Sequence, residues 1–311
     1  MRRVAGPLMI LALLPVVLWA APRKVPPKRP RPDQVQAAEA AKTPLQSLVS
    51  AERAFARMSV AKNTRDAFVA NLAEDCVMFR PLPVNGYELY HARPVGAARL
   101  VWEPVYAEVS AAGDLGVTTG PWEFTPPPGT ANPELAYGQF FSVWRRGTGK
   151  PWKVALDFGI SHTRPAAGLG ETPFTSGPAH AGGATAPGAA DPAALATADA
   201  AFERTAHELN PARAVVSWTT SDLRYLFEGH EPREGEDARN AMSAMPARVE
   251  FHTLGSAIAS SGDLGFSYGV READRDSPGE APDSVVYVHV WRRADAGGWK
   301  ISAAVEQPLK R

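Results

Sequence analysis

The sequence predicts an α+β fold used twice in tandem, and three observations carry that reading. First, Val143-Trp144-Arg145-Arg146 recurs as Val290-Trp291-Arg292-Arg293, 147 positions further on. Second, each copy opens with a helical apolar period and closes in long β-type runs. Third, a Pro-, Ala- and Gly-rich stretch lies between the copies. At roughly 150 residues per domain, 311 residues also suggest two domains.

Other matches keep the same order and spacing. Trp152-Lys153 meets Trp299-Lys300, Ala54-Phe55 meets Ala201-Phe202, and Asp75 meets Asp222. Gly113-Asp114-Leu115-Gly116 recurs as Gly262-Asp263-Leu264-Gly265, so two residues enter the second copy before that point and leave it afterwards. Ordered matches at a nearly constant spacing mark an internal repeat. The expected boundaries are 44–163 and 193–308, with a linker over 164–192 of flexible composition.

In the first copy Leu45, Leu48, Val49, Glu52, Phe55 and Ala56 follow i, i+3, i+4 spacing, which predicts an amphipathic helix. Leu195, Ala198, Phe202, Ala206 and Leu209 repeat it. A second short helix follows, capped by Asn63 or Thr64 in one copy and by Asn210 before Pro211 in the other. Runs over Cys76 to Phe79, Arg99 to Ser110, Val117 to Phe124, Tyr137 to Arg145 and Trp152 to Phe158 predict strands. Short turns between them favour antiparallel pairing, with the helices on one face of the sheet. Gly-Asp-Leu-Gly reads as a hairpin turn; it lacks the Lys and the strand-to-helix setting of a phosphate loop.

The N-terminus predicts export. Arg2 and Arg3 precede the apolar run Leu8 to Trp19, which ends in Ala20-Ala21-Pro22. That is the layout of a secretory signal over 1–20, and the run is too short to span a bilayer. No Cys follows it, so a lipoprotein is not expected, and the chain is expected in the periplasm or secreted, without stable membrane insertion after cleavage. Residues 21–43 are Pro-rich and basic and read as a solvated, disordered spacer. Cys76 is the only cysteine, so no intramolecular disulfide is available; its apolar neighbours make it a buried hydrophobe. Lys plus Arg equals Asp plus Glu at 33 each, and no basic patch points to nucleic acid.

Leu100-Val101-Trp102-Glu103-Pro104, Ala107-Glu108-Val109-Ser110, the Gly-Asp-Leu-Gly turn and Thr119-Gly120-Pro121-Trp122 together resemble the DUF4440 (SnoaL-like) branch of the nuclear transport factor 2-like superfamily. Glu52-Arg53-Ala54-Phe55-Ala56 and Phe79-Arg80-Pro81 fit the same pattern. The resemblance covers nearly all of the first copy; the second keeps the frame but loses Trp-Glu-Pro and Gly-Pro-Trp. It implies two cystatin-like, ketosteroid-isomerase-like cones, each a curved antiparallel sheet with N-terminal helices on its concave face. It also implies a pocket inside the cone and a pseudo-dimer of the two copies. Fold alone does not select a chemistry.

Polar and aromatic strand residues that could share such a pocket are Arg80, Trp102, Trp122, Tyr137, Gln139 and Asp157 in the first copy, and His252, Tyr268, Tyr287 and His289 in the second. Asp157 is the candidate base, since burial raises a carboxyl toward the working range; a strand-end Asp paired with Arg80 or Lys153 is the plain alternative. Strict alternation places Trp152, Val154 and Leu156 on one face and Lys153, Ala155 and Asp157 on the other. The second copy has Ala304 where the first has Asp157, and a His289–Glu306 pair is its acid–base candidate. No metal-ligand spacing and no cofactor motif is present. Three readings stay open: a binder of a small apolar or amphipathic molecule in the first cone, an acid–base enzyme using Asp157, and a structural or protein-interaction module. The first is preferred.

Overall fold

The computed structural model describes residues 42–131, 133–178, 190–246, 248–273, 283–294 and 298–309. The expected signal and nearly all of the basic spacer lie outside the described residues.

Helix α1 (Pro44–Ala61) starts where Thr43 and Gln46 form a capping box ahead of a first-turn proline. Its buried stripe is Leu48, Val49, Glu52, Phe55, Ala56 and Ser59. Asn63 caps helix α2 (Thr64–Asn71) by accepting from the Asp66 N–H. Strands β1 (Leu72–Phe79) and β2 (Pro83–Asn85) follow, then a short helix α3 (Gly86–Ala92) capped by Asn85. Next come β3 (Arg99–Trp102), β4 (Tyr106–Val109), β5 (Leu115–Thr125), β6 (Ala136–Arg145), β7 (Lys153–His162) and the edge strand β8 (Thr175–Ser176). The sheet runs β2-β1-β7-β6-β5-β4-β8, with β3 also on β5.

The same succession returns in the second half. Helices α4 (Pro192–Glu208) and α5 (Pro211–Trp218) precede β9 (Thr219–Phe227), β10 (Arg233–Glu234) and α6 (Gly235–Ser243). Strands β11 (Val249–Ile258), β12 (Leu264–Ala273), β13 (Asp283–Arg293) and β14 (Trp299–Pro308) complete a sheet ordered β10-β9-β14-β13-β12-β11.

Four expectations need correction. The sheets are mixed, because β1 pairs with β7 and β9 with β14 in parallel. The continuous strand expected over Arg99 to Ser110 breaks between Trp102 and Tyr106, since Pro104 has no N–H to give a ladder. Helices α3 and α6 stand where no helix was expected. Part of the expected linker, Thr175–Ser176, pairs with β4 as a parallel edge.

A β-bulge sets the phase of the sheet. Val143 faces Leu156 and Trp144 faces Val154, leaving Ala155 extra in β7. The second half repeats this, with Val290 opposite Ala303 and Trp291 opposite Ile301. Strict alternation therefore fails across residues 154–157. Val154 joins the helix-side core with Phe55, Phe68 and Trp144, whereas Leu156, Phe158 and Ile160 join the opposite face.

That opposite face is where the two sheets meet. Val117, Phe141, Val143 and Leu156 share one apolar cluster with Phe266, Val288, Val290 and Val305. The two Gly-Asp-Leu-Gly turns bond reciprocally: the Ala111 N–H donates to Asp263 Oδ2 at 2.8 Å, and the Ser260 N–H donates to Asp114 Oδ2 at 3.0 Å. Gly113 and Gly262 hold φ of +67° and +69°, a left-handed turn position that favours glycine. Nearby, Arg292 grips Glu108 in a bidentate pair at 2.6 and 2.9 Å, both residues buried, and also reaches Asp222.

Candidate functional site

The first half encloses a cavity of about 290 Å³ between the helices and the inner face of its sheet. Its walls are mostly aromatic: Phe55 and Phe68 from the helices, Tyr90 from α3, Trp102 from β3, Trp122 from β5, and Phe140 from β6. Tyr90 stacks on Phe68 at 4.1 Å between ring centroids, and Trp102 meets Phe55 edge-on at 4.8 Å. Trp122 lies across Gly138, where an added Cβ would come within 2.5 Å of its ring and 1.9 Å of the Ile160 carbonyl oxygen. Glycine at 138 therefore lets the indole cover the strand.

Polar groups on this wall are few. The bulge turns Asp157 inward beside its cross-strand partner Ser142, whose hydroxyl donates to Asp157 Oδ1 at 2.9 Å. Burial pushes the Asp157 carboxyl up to about 7, helped by the charge of Glu52, while the Ser142 bond and the Arg80 guanidinium pull it down. Arg80 is exposed and lines the same cavity. Tyr90 is a second polar group there; burial raises its phenol and keeps it a donor.

Behind the wall sits a residue whose role the sequence pattern hid. Glu52 is fully buried and accepts from Trp102 Nε1 at 2.6 Å, Thr118 Oγ1 at 2.6 Å and Trp144 Nε1 at 2.9 Å. Burial raises its carboxyl, against the pull of those three bonds. The second half builds a related set: Asp199 accepts from Ser267 and Thr253, and Trp291 donates to Ser267 at 2.9 Å. A carboxyl at 52 and again at 199, each in an apolar stripe, was the available signal.

The candidates divide between the two faces. Arg80, Trp102, Trp122 and Asp157 surround the cavity. Tyr137 and Gln139 do not. They lie one step out of phase with Phe140 and Ser142, so Tyr137 meets Arg164 at 5.7 Å and Gln139 lines a separate cavity at the seam between the halves. In the second half Tyr287 and His289 are buried beneath helix α4. Tyr268 faces the other way, toward Phe79. His252 is largely exposed, 3.9 Å from Glu272. The His289–Glu306 pair does not form: Glu306 bonds Arg271 and Tyr225, and neither ring nitrogen of His289 has a partner among the described residues. The reason is the side-chain spacing along β13 and β14, which sets Glu306 opposite Tyr287 and Ala304 opposite His289.

Among the described residues no group of three His, Cys, Asp or Glu side chains is placed to hold a metal ion, and no helix is long and apolar enough to cross a membrane. Cys76 is buried, and burial pushes its thiol above the usual range.

No family model matches the chain, and no curated protein does. Solved structures do. A ketosteroid isomerase-like protein from Erwinia carotovora atroseptica is 15% identical, with 38% of this chain and 96% of that one covered and a TM-score of 0.33. A protein of unknown function with a cystatin-like fold from Nostoc punctiforme is 15% identical over 38% of this chain and 91% of that one, with a TM-score of 0.30. An NTF2-like protein with a cystatin-like fold from Novosphingobium aromaticivorans is 16% identical over 39% and 82%, with a TM-score of 0.30.

Proposed function

We propose that the chain is an exported tandem of two NTF2-like cones. In this reading the first cone binds a small, largely apolar molecule, and the second covers the outer face of its sheet as a built-in partner. The observation that carries the reading is the aromatic cavity of about 290 Å³ with Asp157 and Ser142 on one wall. Small-molecule sites pair an apolar lining with a few placed polar groups. An engineered cavity of roughly 150 Å³ takes benzene, so this one suits a molecule of one or two rings. Its polar end would meet Asp157, which is a donor when protonated and an acceptor when ionised.

The test is a melting-temperature screen of hydrophobic and amphipathic small molecules against the chain. A ligand at 100 times its Kd stabilises by about 2.7 kcal/mol. Gly159→Leu should abolish the shift by filling the cavity, and strand position 159 has room for a side chain because its counterpart in the second half is Glu306. A screen with no hits, or hits that Gly159→Leu leaves intact, would sink the proposal.

One observation favours a second reading. Asp157, raised to about 7, shares the cavity with the Tyr90 phenol. A base near neutrality and a hydrogen-bond donor can together move a proton next to a polarised oxygen. Turnover of any bound ketone or enol by the wild type, lost in Asp157→Asn with binding retained, would establish it.

A further inference from the structure

The second half has a cavity of its own, again about 290 Å³, at the corresponding end of its sheet. Three wall positions are exchanged together. Tyr225, Arg271 and Glu306 stand where the first half has Met78, Trp122 and Gly159, by the same repeat spacing. The three newcomers bond one another: Arg271 donates to Glu306 Oε2 at 2.8 Å, and the Tyr225 hydroxyl donates to that same oxygen at 3.2 Å. Glu306 is fully buried, yet its other oxygen, Oε1, has no hydrogen-bond partner among the described residues. A buried carboxylate oxygen left unpaired is unfavourable, and a donor brought to it is rewarded.

The rest of the wall describes what carries that donor. Phe227 stacks near Tyr225 at 6.1 Å, His230 lies against Phe227 at 5.5 Å, and Met245 and Pro246 complete an apolar rim. Flat rings pack well against such surfaces. Glu231 and Arg233 also line the cavity and offset each other in charge, so at Oε1 a ligand carboxylate is disfavoured: it would face Glu306 with like charge and no proton to give.

We propose that this cavity is a second, separate binding site, for an aromatic ring bearing an O–H or N–H donor directed at Glu306 Oε1. Its polarity differs from that of the first cavity, so the two halves select different molecules. The site does not depend on the first cone binding anything.

The experiment is calorimetric titration of the full chain with four probes of similar size. p-Cresol supplies a neutral hydroxyl, benzylamine an ammonium, toluene no donor, and benzoate a like charge. A hydrogen bond to a charged group is worth roughly ten- to a hundredfold in affinity. p-Cresol or benzylamine should therefore bind at least about tenfold more tightly than toluene and benzoate; which of the two wins tells a hydroxyl ligand from a cationic one. Ala244→Trp should remove that binding, because Ala244 is an exposed residue of the cavity lining, away from the buried pair; circular dichroism and a thermal melt check that the variant folds. All of these titrations, Ala244→Trp included, are run in the Gly159→Leu background, which fills only the first cavity, so that the binding read out belongs to the second. Equal affinity for toluene and p-cresol, no binding by either donor probe, or unchanged binding in Ala244→Trp would each overturn the site.

Discussion

His289 offers a direct energetic test. It is fully buried, edge-on to Phe202 at 5.2 Å and close to Tyr287 at 4.5 Å, and neither ring nitrogen has a hydrogen-bond partner among the described residues. Burial, with the positive charge of Arg271, pushes its pKa from 6.5 down to about 3. The folded ring therefore stays neutral while the unfolded one takes a proton between those values. Stability from this residue is whole above the unfolded pKa and is lost as pH falls toward the folded one. One pKa unit is about 1.4 kcal/mol. Between pH 8 and pH 5 the loss works out at about 2 kcal/mol, and near pH 3 at roughly 4 to 5 kcal/mol. His289→Leu keeps similar bulk, removes two unpaired polar atoms and removes the titration. Urea unfolding of both proteins at pH 8 and pH 5 measures the difference, and carboxyl titrations common to both cancel in it. The variant should be at least as stable at pH 8 and about 2 kcal/mol less sensitive to acidification. Equal pH dependence in the two proteins would refute the argument, because His289 would then be protonated or hydrated in the folded state.

Other expectations follow from the same physics. Asp157, raised to about 7, has the opposite sign: the wild type should lose stability as pH rises through 7, and Asp157→Asn should flatten that slope in thermal melts from pH 5 to 8. Glu108→Ala leaves Arg292 buried with only part of its pairing, and breaking a buried pair by truncating one partner costs about 3–5 kcal/mol in denaturant titration. Gly138→Ala forces a Cβ against the Ile160 carbonyl and the Trp122 ring, so the melting temperature should fall by several degrees and the tryptophan fluorescence should shift.

Much of this architecture is readable in the chain because local rules agree. The Asn63 and Asn210 caps, the apolar stripes of α1 and α4, and the Gly-Asp-Leu-Gly turns are each set by nearby residues. What escaped depends on long-range register. The bulge at Ala155 shifts the phase of β7, and no residue around it announces that shift; only the pairing of Trp144 with Val154 reveals it. Tyr137 and Gln139 fell on the wrong face because alternation gives two faces without saying which one the helices cover. Helix α3 is a single short stretch that opens at Asn85-Gly86, a dipeptide that reads locally as a turn. Asp157, Trp102 and Trp122 were nameable because polar and aromatic residues are conspicuous in strands. Tyr90 and Glu52 sit in helices, where each resembles an ordinary stripe or surface residue.

The contact between Glu108 and Arg292 gives the two halves distinct identities. Its repeat-related positions are Ala257 and Arg145, and Arg145 lies exposed beside Asp75. Two second halves meeting through this face would bring alanine to each Arg292, whereas a first half supplies the carboxylate. Duplicated sheets with matching apolar faces are otherwise interchangeable, and chains built that way risk pairing with copies of themselves. Here one buried charge acts as a key that a single kind of partner fits, and the covalent tether keeps that partner at high local concentration. On the proposed reading of two cones, the chain is a heterodimer encoded in one polypeptide, and each half can diverge inside its cone so long as the shared seam is preserved.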